Sequence, residues 1–242
     1  MGGATGKFIY RNLANATSLL GVLPLVILFL DDGYRYVILL IIFNNFIDDL
    51  DGVLAAKLNI RSRFGADLDN VCDAVAHISL ALAVGAHFGS FLIVASAIAA
   101  GSILIRIVSR LQPTASEERG SQTNELMRHM LFALLLAGQF NFNPEYILTA
   151  VFLIHAVSML VPYKMPHPII DAAKSATMLG LVNATLVLAW LVPSVTPIIS
   201  IAFLVAYLYS FFVGSITRAK VLSPALTEIQ VTLKPSLMRP PT

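Results

Sequence analysis

Phe43 to His77 reads FNNFIDDLDGVLAAKLNIRSRFGADLDNVCDAVAH and holds six of the fourteen acidic residues in a chain of 242. Immediately before it runs YRYVILLII and immediately after it ISLALAVGA, so the carboxylates occupy the facing ends of two apolar segments. Each segment, taken with its share of the acidic stretch, is about twenty residues long, the length that crosses a hydrocarbon core as helix. The reading that follows is an all-α, polytopic membrane bundle whose charged chemistry is confined to one hairpin.

Working outward, six more apolar stretches bring the total to eight. They run from Ala14 to Leu30, Tyr36 to Leu58, Ala66 to His87, Phe91 to Leu111, Leu126 to Phe142, Tyr146 to Pro162, Ala172 to Val192 and Pro197 to Ile216, separated by short polar or Gly/Pro-marked breaks. Pro24 is expected to kink the first, because proline lacks the N–H and crowds the preceding turn. The fifth and sixth are short enough to be one re-entrant hairpin instead of two crossings. Residues 1–220 read as a single membrane domain without repeats, and 221–242 as a disordered tail.

Composition agrees. Hydrophobic residues make up 57% and charged residues 12%, against roughly 45–50% and 25% in an ordinary soluble domain. The mean hydropathy is +0.79. A formal net charge of +2, with no basic run interleaved with aromatics, argues against a nucleic-acid partner. Cys72, the single cysteine, allows neither an internal disulfide nor a thiolate metal cluster. Alternating the spans places nearly all Lys and Arg on one side and Arg35 on the other, so the basic side, with both termini and the tail, is expected to be cytoplasmic.

A carboxylate inside a span costs about 2.5 kcal/mol or more at the bilayer centre, so a cluster of them calls for a cationic partner. Asp48 and Asp51 share one helical face, as do Asp69 and Asp73; antiparallel neighbours joined by a short loop would bring the four together near the cytoplasmic surface. Asp49 and Asp67 fall off those faces, and for them compensation by Lys57, Arg61 or Arg63 is the better account. Oxygen-only ligands select hard cations, Mg²⁺, Mn²⁺ or Ca²⁺, over zinc or copper. Four carboxylates suit a pair of ions that also hold phosphate oxygens. Gly52 costs about 1 kcal/mol in a helix interior, which a close-approaching ligand would explain. Gly65 fits either that role or a tight start to the next helix.

Read as D-x-x-D-G-x-x-A-x, eight residues, then G-x-x-x-D-x-x-x-D, the segment resembles the signature of the CDP-alcohol phosphotransferase family. Asp48, Asp51, Gly52, Ala55, Gly65, Asp69 and Asp73 carry the match, within 26 residues. ANATSLLG, Ala14 to Gly21, is similar to the family's P-N-x-x-T start, with Asn15 kept, Ala14 for proline and Ser18 for threonine. Ala56 stands where the family usually has arginine; Lys57, Arg61 and Arg63 are candidate replacements.

The resemblance implies a six-span core, here with two further spans, a homodimer, two Mg²⁺ or Mn²⁺ ions, and transfer of a phosphatidyl group from CDP-diacylglycerol to a small alcohol, releasing CMP. It implies that Asp48, Asp51, Asp69 and Asp73 ligate metal, and that Asp73 also takes the hydroxyl proton. It further implies that Asn15, Gly52, Ala55 and Ser62 contact the nucleotide side.

For the acceptor, Arg106 and Arg110 form a cationic face suited to a carboxylate or phosphate, although the positive-inside rule places them equally well. SMLVPYKMP, Ser158 to Pro166, is similar to a segment of phosphatidylserine synthases, which favours serine over choline, glycerol or inositol phosphate. His77 is read as a packing residue or as a partner that orients Asp73; His129 and His155 as packing residues; Tyr163, Lys164 and His167 as an interfacial turn. The competing class, an ion-coupled transporter, would also carry intramembrane carboxylates, but it tends to show paired repeats and midplane sites.

Overall fold

The computed structural model describes residues 10–111, 120–163, 165–166 and 176–233, with backbone only at residue 178 and from 219 onwards. Among the described residues eight α-helices follow one another: α1 Leu13–Val22, α2 Val37–Lys57, α3 Arg63–Phe88, α4 Ser90–Leu111, α5 Thr123–Phe140, α6 Glu145–Leu160, α7 Ala176–Leu191 and α8 Thr196–Leu233. Each falls on one of the eight apolar stretches, α1 stopping short of Leu30 and α8 running past Ile216, and the expected all-helical membrane bundle is what the chain forms. At Pro24 the α-helix gives way to a 3-10 segment, Leu23–Phe29, because the missing N–H interrupts the ladder.

The α2–α3 connection fixes the acidic hairpin. Asn59 adopts a left-handed φ of 53°, the N–H of Ile60 reaches back to the Ala55 carbonyl at 3.1 Å, and that of Asn59 to Ala56 at 3.3 Å. This is a Schellman termination, which satisfies carbonyls that the helix end leaves open. Three residues on, Ser62 caps α3, its Oγ accepting from the Gly65 N–H at 3.0 Å. The two helices therefore turn back on each other within a loop too short to slip.

Packing relies on small residues. Gly89, at φ +67°, turns α3 into α4, and Ala81, Gly85, Ala95 and Ala99 are buried along that hairpin. At Gly85, Ser96 leaves no room for a Cβ. Small-residue faces let membrane helices approach closely where no hydrophobic gradient drives them together.

α5 is the interior helix: Thr123, Glu125 to Leu134 and Ala137 are all buried. Its two buried charges pair with each other, Arg128 Nη1 to Glu125 Oε1 at 3.1 Å. The fifth and sixth stretches form two separate helices, α5 of 18 residues and α6 of 16. At one end Ser121 N donates to Ser158 O at 2.9 Å; at the other, Leu134, Phe142 and Pro144 border the Tyr34–Arg35 turn.

Three helices among the described residues are long and apolar enough to cross a membrane by composition: α3, α4 and the segment Pro193–Arg218. Shorter apolar helices are Leu13–Phe29, Glu145–Leu160 and Leu179–Leu191. Phe29, Phe91, Tyr146 and Ile198 stand out from the bundle, as side chains that meet lipid do. The tail expected from residue 221 falls partly on the continuation of α8 to Leu233; residues 234–242 lie outside the described residues.

Candidate metal centre

α2 and α3 bring the predicted aspartates together. Ligand oxygens of Asp48, Asp51 and Asp69 lie within 4.8 Å of one another. Asp73 adjoins them at Asp48, near enough for the two carboxylates to interact, as those of Asp51 and Asp69 do. Like charges about 4 Å apart repel by about 4 kcal/mol per pair at an effective dielectric of 20, so four carboxylates here need shared protons or a cation. A hard divalent ion fits the donor set: every ligand is a carboxylate oxygen, and Asp69 Oδ1 is buried with no hydrogen-bond partner. Asp48, Asp51 and Asp69 could hold it directly, with Asp73 adjoining.

Two further side chains set the orientation of these carboxylates. Ser18, buried on α1, donates to Asp51 Oδ2. Asn124, in the first turn of α5, donates through Nδ2 to Asp48 Oδ2 at 2.5 Å. In the sequence Ser18 was visible only as the stand-in for a motif threonine. Asn124 carried no signal, because it lies 76 residues from its partner and follows an ordinary polar break.

A cavity of about 230 Å³ opens beside the cluster. Its wall includes Asn15 and Ser18 of α1, Gly52 and Ala55 of α2, Ser62 and Asp69 of the α3 end, and Arg61 from the loop. All four residues expected on the nucleotide side, Asn15, Gly52, Ala55 and Ser62, are thus brought together. At Gly52 a Cβ would meet nothing within 4 Å, so packing does not require glycine there; the space belongs to the cavity. At Gly65 a Cβ would meet Asn15 Oδ1 at 3.0 Å and Ser62 Oγ at 3.1 Å. That glycine serves the helix start and the close approach of α1.

The arginines separate. Arg110 Nη1 donates to Asn70 Oδ1 at 3.1 Å, next to Asp69, whose carboxylate feels its charge. Arg106, one turn deeper, is buried. Neither lines the cavity. Asp67 pairs with Arg63 at 3.8 Å on the surface, and Asp49 accepts from Asn183 Nδ2 at 2.5 Å. Both therefore lie off the cluster, as their helical phase required. Asn183 also receives Asn45, which accepts from Arg128 Nε, so a buried polar chain runs from Asp49 to α5 and α7.

His77 does not orient Asp73 by a hydrogen bond, since neither of its ring nitrogens has a partner. His129 and His155 pack with Tyr207, whose hydroxyl donates to Ser158 at 2.6 Å. Tyr163 meets Ser215 at 2.6 Å, whereas Lys164 and His167 lie outside the described residues.

The CDP-alcohol phosphatidyltransferase family model matches residues 11–206, which takes in α1 to α7 and the start of α8. No curated protein matches the chain. Members of that family are divalent-metal-dependent transferases of the membrane, and this removes the transporter alternative.

Proposed function

This chain belongs to the CDP-alcohol phosphatidyltransferase family, and we propose that it transfers the phosphatidyl group of CDP-diacylglycerol to serine with release of CMP. The observation that carries the reading is the juxtaposition of the carboxylate cluster with the cavity walled by Asn15, Gly52, Ala55 and Ser62. Phosphate oxygens are themselves ligands of hard cations, so ions held by the carboxylates would bind a diphosphate lying along that wall.

Asp48, Asp51, Asp69 and Asp73 would hold two Mg²⁺ or Mn²⁺ ions, which when bound neutralise charge on the diphosphate and on departing CMP. Asp73 takes the proton of the attacking hydroxyl. The acceptor oxygen forms a bond to the phosphorus that bears diacylglycerol, and the bond from that phosphorus to the CMP oxygen breaks, CMP leaving with the electron pair. Gly52 and Ala55 leave room for the nucleotide, and Ser18 and Asn124 hold two carboxylates in position. The basic side of the bundle, and with it this site, faces the cytoplasm.

Arg61 is the side chain suited to replace the charge missing at Ala56, since it stands in the cavity wall whereas Ala56 is exposed. Arg61→Ala is expected to raise the KM for CDP-diacylglycerol about tenfold, the scale of one charge-assisted hydrogen bond. Ala56→Arg in that background should recover part of it. A KM unmoved by Arg61→Ala assigns the phosphate contact elsewhere.

Serine is favoured because Arg110 stands beside Asn70 and Asp69, where a guanidinium can take a carboxylate and would repel choline. The test is CMP release with a panel of alcohols. Serine is expected as the best acceptor, and Arg110→Ala should raise the serine KM more than that of CDP-diacylglycerol. Choline as the best acceptor, with Arg110 dispensable, overturns the serine assignment and leaves the transfer chemistry standing.

A further inference from the structure

At the end of the bundle away from the aspartates, the turn that carries Arg35 stands between two cavities. His87, which closes this end of α3, lies about 27 Å of helix rise beyond Asp69. The wall of the first cavity, about 640 Å³, includes Leu28, Asp32 and His87. That of the second, about 300 Å³, includes Phe88, Leu134, Gly138 and Phe142, and Tyr34 and Arg35 border both. Each is as large as a small-molecule site, about 300–1,000 Å³. The turn between them is held rigidly. Asp32 takes a left-handed φ of 59°, and at Gly33 a Cβ would run into the Ile27 carbonyl oxygen. The Tyr34 ring lies flat on that of His87, centroids 3.4 Å apart, with Phe88 edge-on at 6.0 Å. Across the second cavity a Cβ on Gly138 would meet nothing within 4 Å.

The first cavity carries one charge of each sign, and they are not spent on each other. The Arg35 guanidinium donates to the Tyr36 hydroxyl at 2.7 Å and lies 4.8 Å from the centre of that ring; among the described residues it pairs with no carboxylate. Its backbone N–H donates to the Asp32 carbonyl at 3.1 Å, so both side chains leave a single turn. A guanidinium suits a phosphodiester, and a carboxylate suits the N–H donors of an ammonium. The second cavity is apolar beyond Tyr34 and Arg35, as an acyl chain requires. Exposed Tyr36 and Tyr146 place this end at headgroup depth, where amphipathic rings settle. We propose that it binds one zwitterionic phospholipid: the phosphate on Arg35, the ammonium toward Asp32, and an acyl chain in the apolar cavity between α2, α3 and α5. An anionic headgroup would leave Asp32 facing like charge, and a soluble zwitterion would leave the apolar cavity unfilled. The proposal does not depend on the phosphatidyl-transfer reading, because none of these residues belongs to the aspartate centre.

The test uses the full chain, purified in detergent, stripped of lipid and offered equal amounts of phosphatidylethanolamine and phosphatidylglycerol, with retained lipid counted by native mass spectrometry. The thermal midpoint without lipid reports that each variant is folded. The parent is expected to hold one phosphatidylethanolamine per chain, at least about fivefold over phosphatidylglycerol. Arg35→Gln should lower retention of both lipids about tenfold, and Arg35→Lys should recover most of it. Asp32→Asn keeps a residue that tolerates the left-handed turn, so it should erase the preference without loss of phosphatidylglycerol. Gly138→Phe, which fills the apolar cavity, should cut retention of both lipids about tenfold. Glycerophosphoethanolamine, the headgroup without its chains, should not displace the lipid at equal concentration. Equal retention of the two lipids by the parent, a preference that survives Asp32→Asn, or retention that survives Arg35→Gln or Gly138→Phe overturns the proposal. Displacement by glycerophosphoethanolamine at equal concentration also overturns it, since the ligand would then be a soluble zwitterion.

Discussion

Asp69→Asn is expected to abolish CMP release, a fall of at least about a hundredfold, while Asp49→Asn leaves the rate within about threefold of the parent. Even changes outside the direct ligands of a metal commonly cost 10–100-fold, and Asp69 stands among the oxygens that lie within 4.8 Å of one another. One of its own oxygens is buried and without a hydrogen-bond partner, so replacing the acid by an amide removes one of the charges the centre offers a cation. Asp49 is two residues from Asp51 in sequence, yet it turns toward Asn183. An amide at 49 still offers an oxygen to Asn183 Nδ2, which keeps that contact. Steady-state CMP release with both variants in the same lipid decides, and equal damage from the two would mean that the Asp49 chain belongs to the metal centre.

Gly52→Leu should separate stability from activity. Glycine in a helix interior costs about 1 kcal/mol relative to a good helix former, and a Cβ at this position meets no protein atom within 4 Å. The thermal midpoint should therefore hold or rise. The leucine side chain enters the cavity of about 230 Å³ on the wall shared with Ala55 and Asn15. Activity should fall at least tenfold through the KM for CDP-diacylglycerol, since filling a pocket removes binding on the scale of one or more contacts. Gly65→Ala behaves differently: its Cβ presses on Asn15 Oδ1 and Ser62 Oγ, and stability falls along with activity. A leucine at 52 that leaves the KM for the nucleotide donor unchanged would show that this cavity is not where the donor binds.

Helical phase explains why so much of the centre was legible in the sequence. Spacings of three and four put Asp48 with Asp51 and Asp69 with Asp73, and the short Asn59–Ser62 connection left the two helices no choice but to face each other. The same phase sent Asp67 to Arg63 and Asp49 to Asn183. Pro24 announced the change from α to 3-10 geometry through its missing N–H. What could not be read were contacts between distant helices. Asn124 reaches Asp48 across 76 residues, and Arg128 reaches Asn45 across 83. Hydropathy does not encode which interior polar residues meet. The fifth stretch reads in the sequence only as short, one half of a possible re-entrant hairpin, whereas α5 buries Glu125, Arg128 and His129 inside the bundle.

Arg106 and Arg110 mark the limit of charge counting. Both obey the positive-inside rule, but only the structure separates a buried Arg106 from an Arg110 set against Asn70 beside the acidic cluster. Four residues of helix rise, about 6 Å, divide a side chain set beside the acidic cluster from one enclosed by the bundle.

The central claim is that the aspartate cluster works as a metal centre for CMP-releasing transfer. Its most direct test is CMP release by purified protein from CDP-diacylglycerol, with serine present and absent, in Mg²⁺ or Mn²⁺ and again after EDTA. The account predicts release that requires both the alcohol and the divalent ion, and that returns when the ion is restored. Release that is unchanged by EDTA, or the absence of release with every alcohol tried, would contradict it.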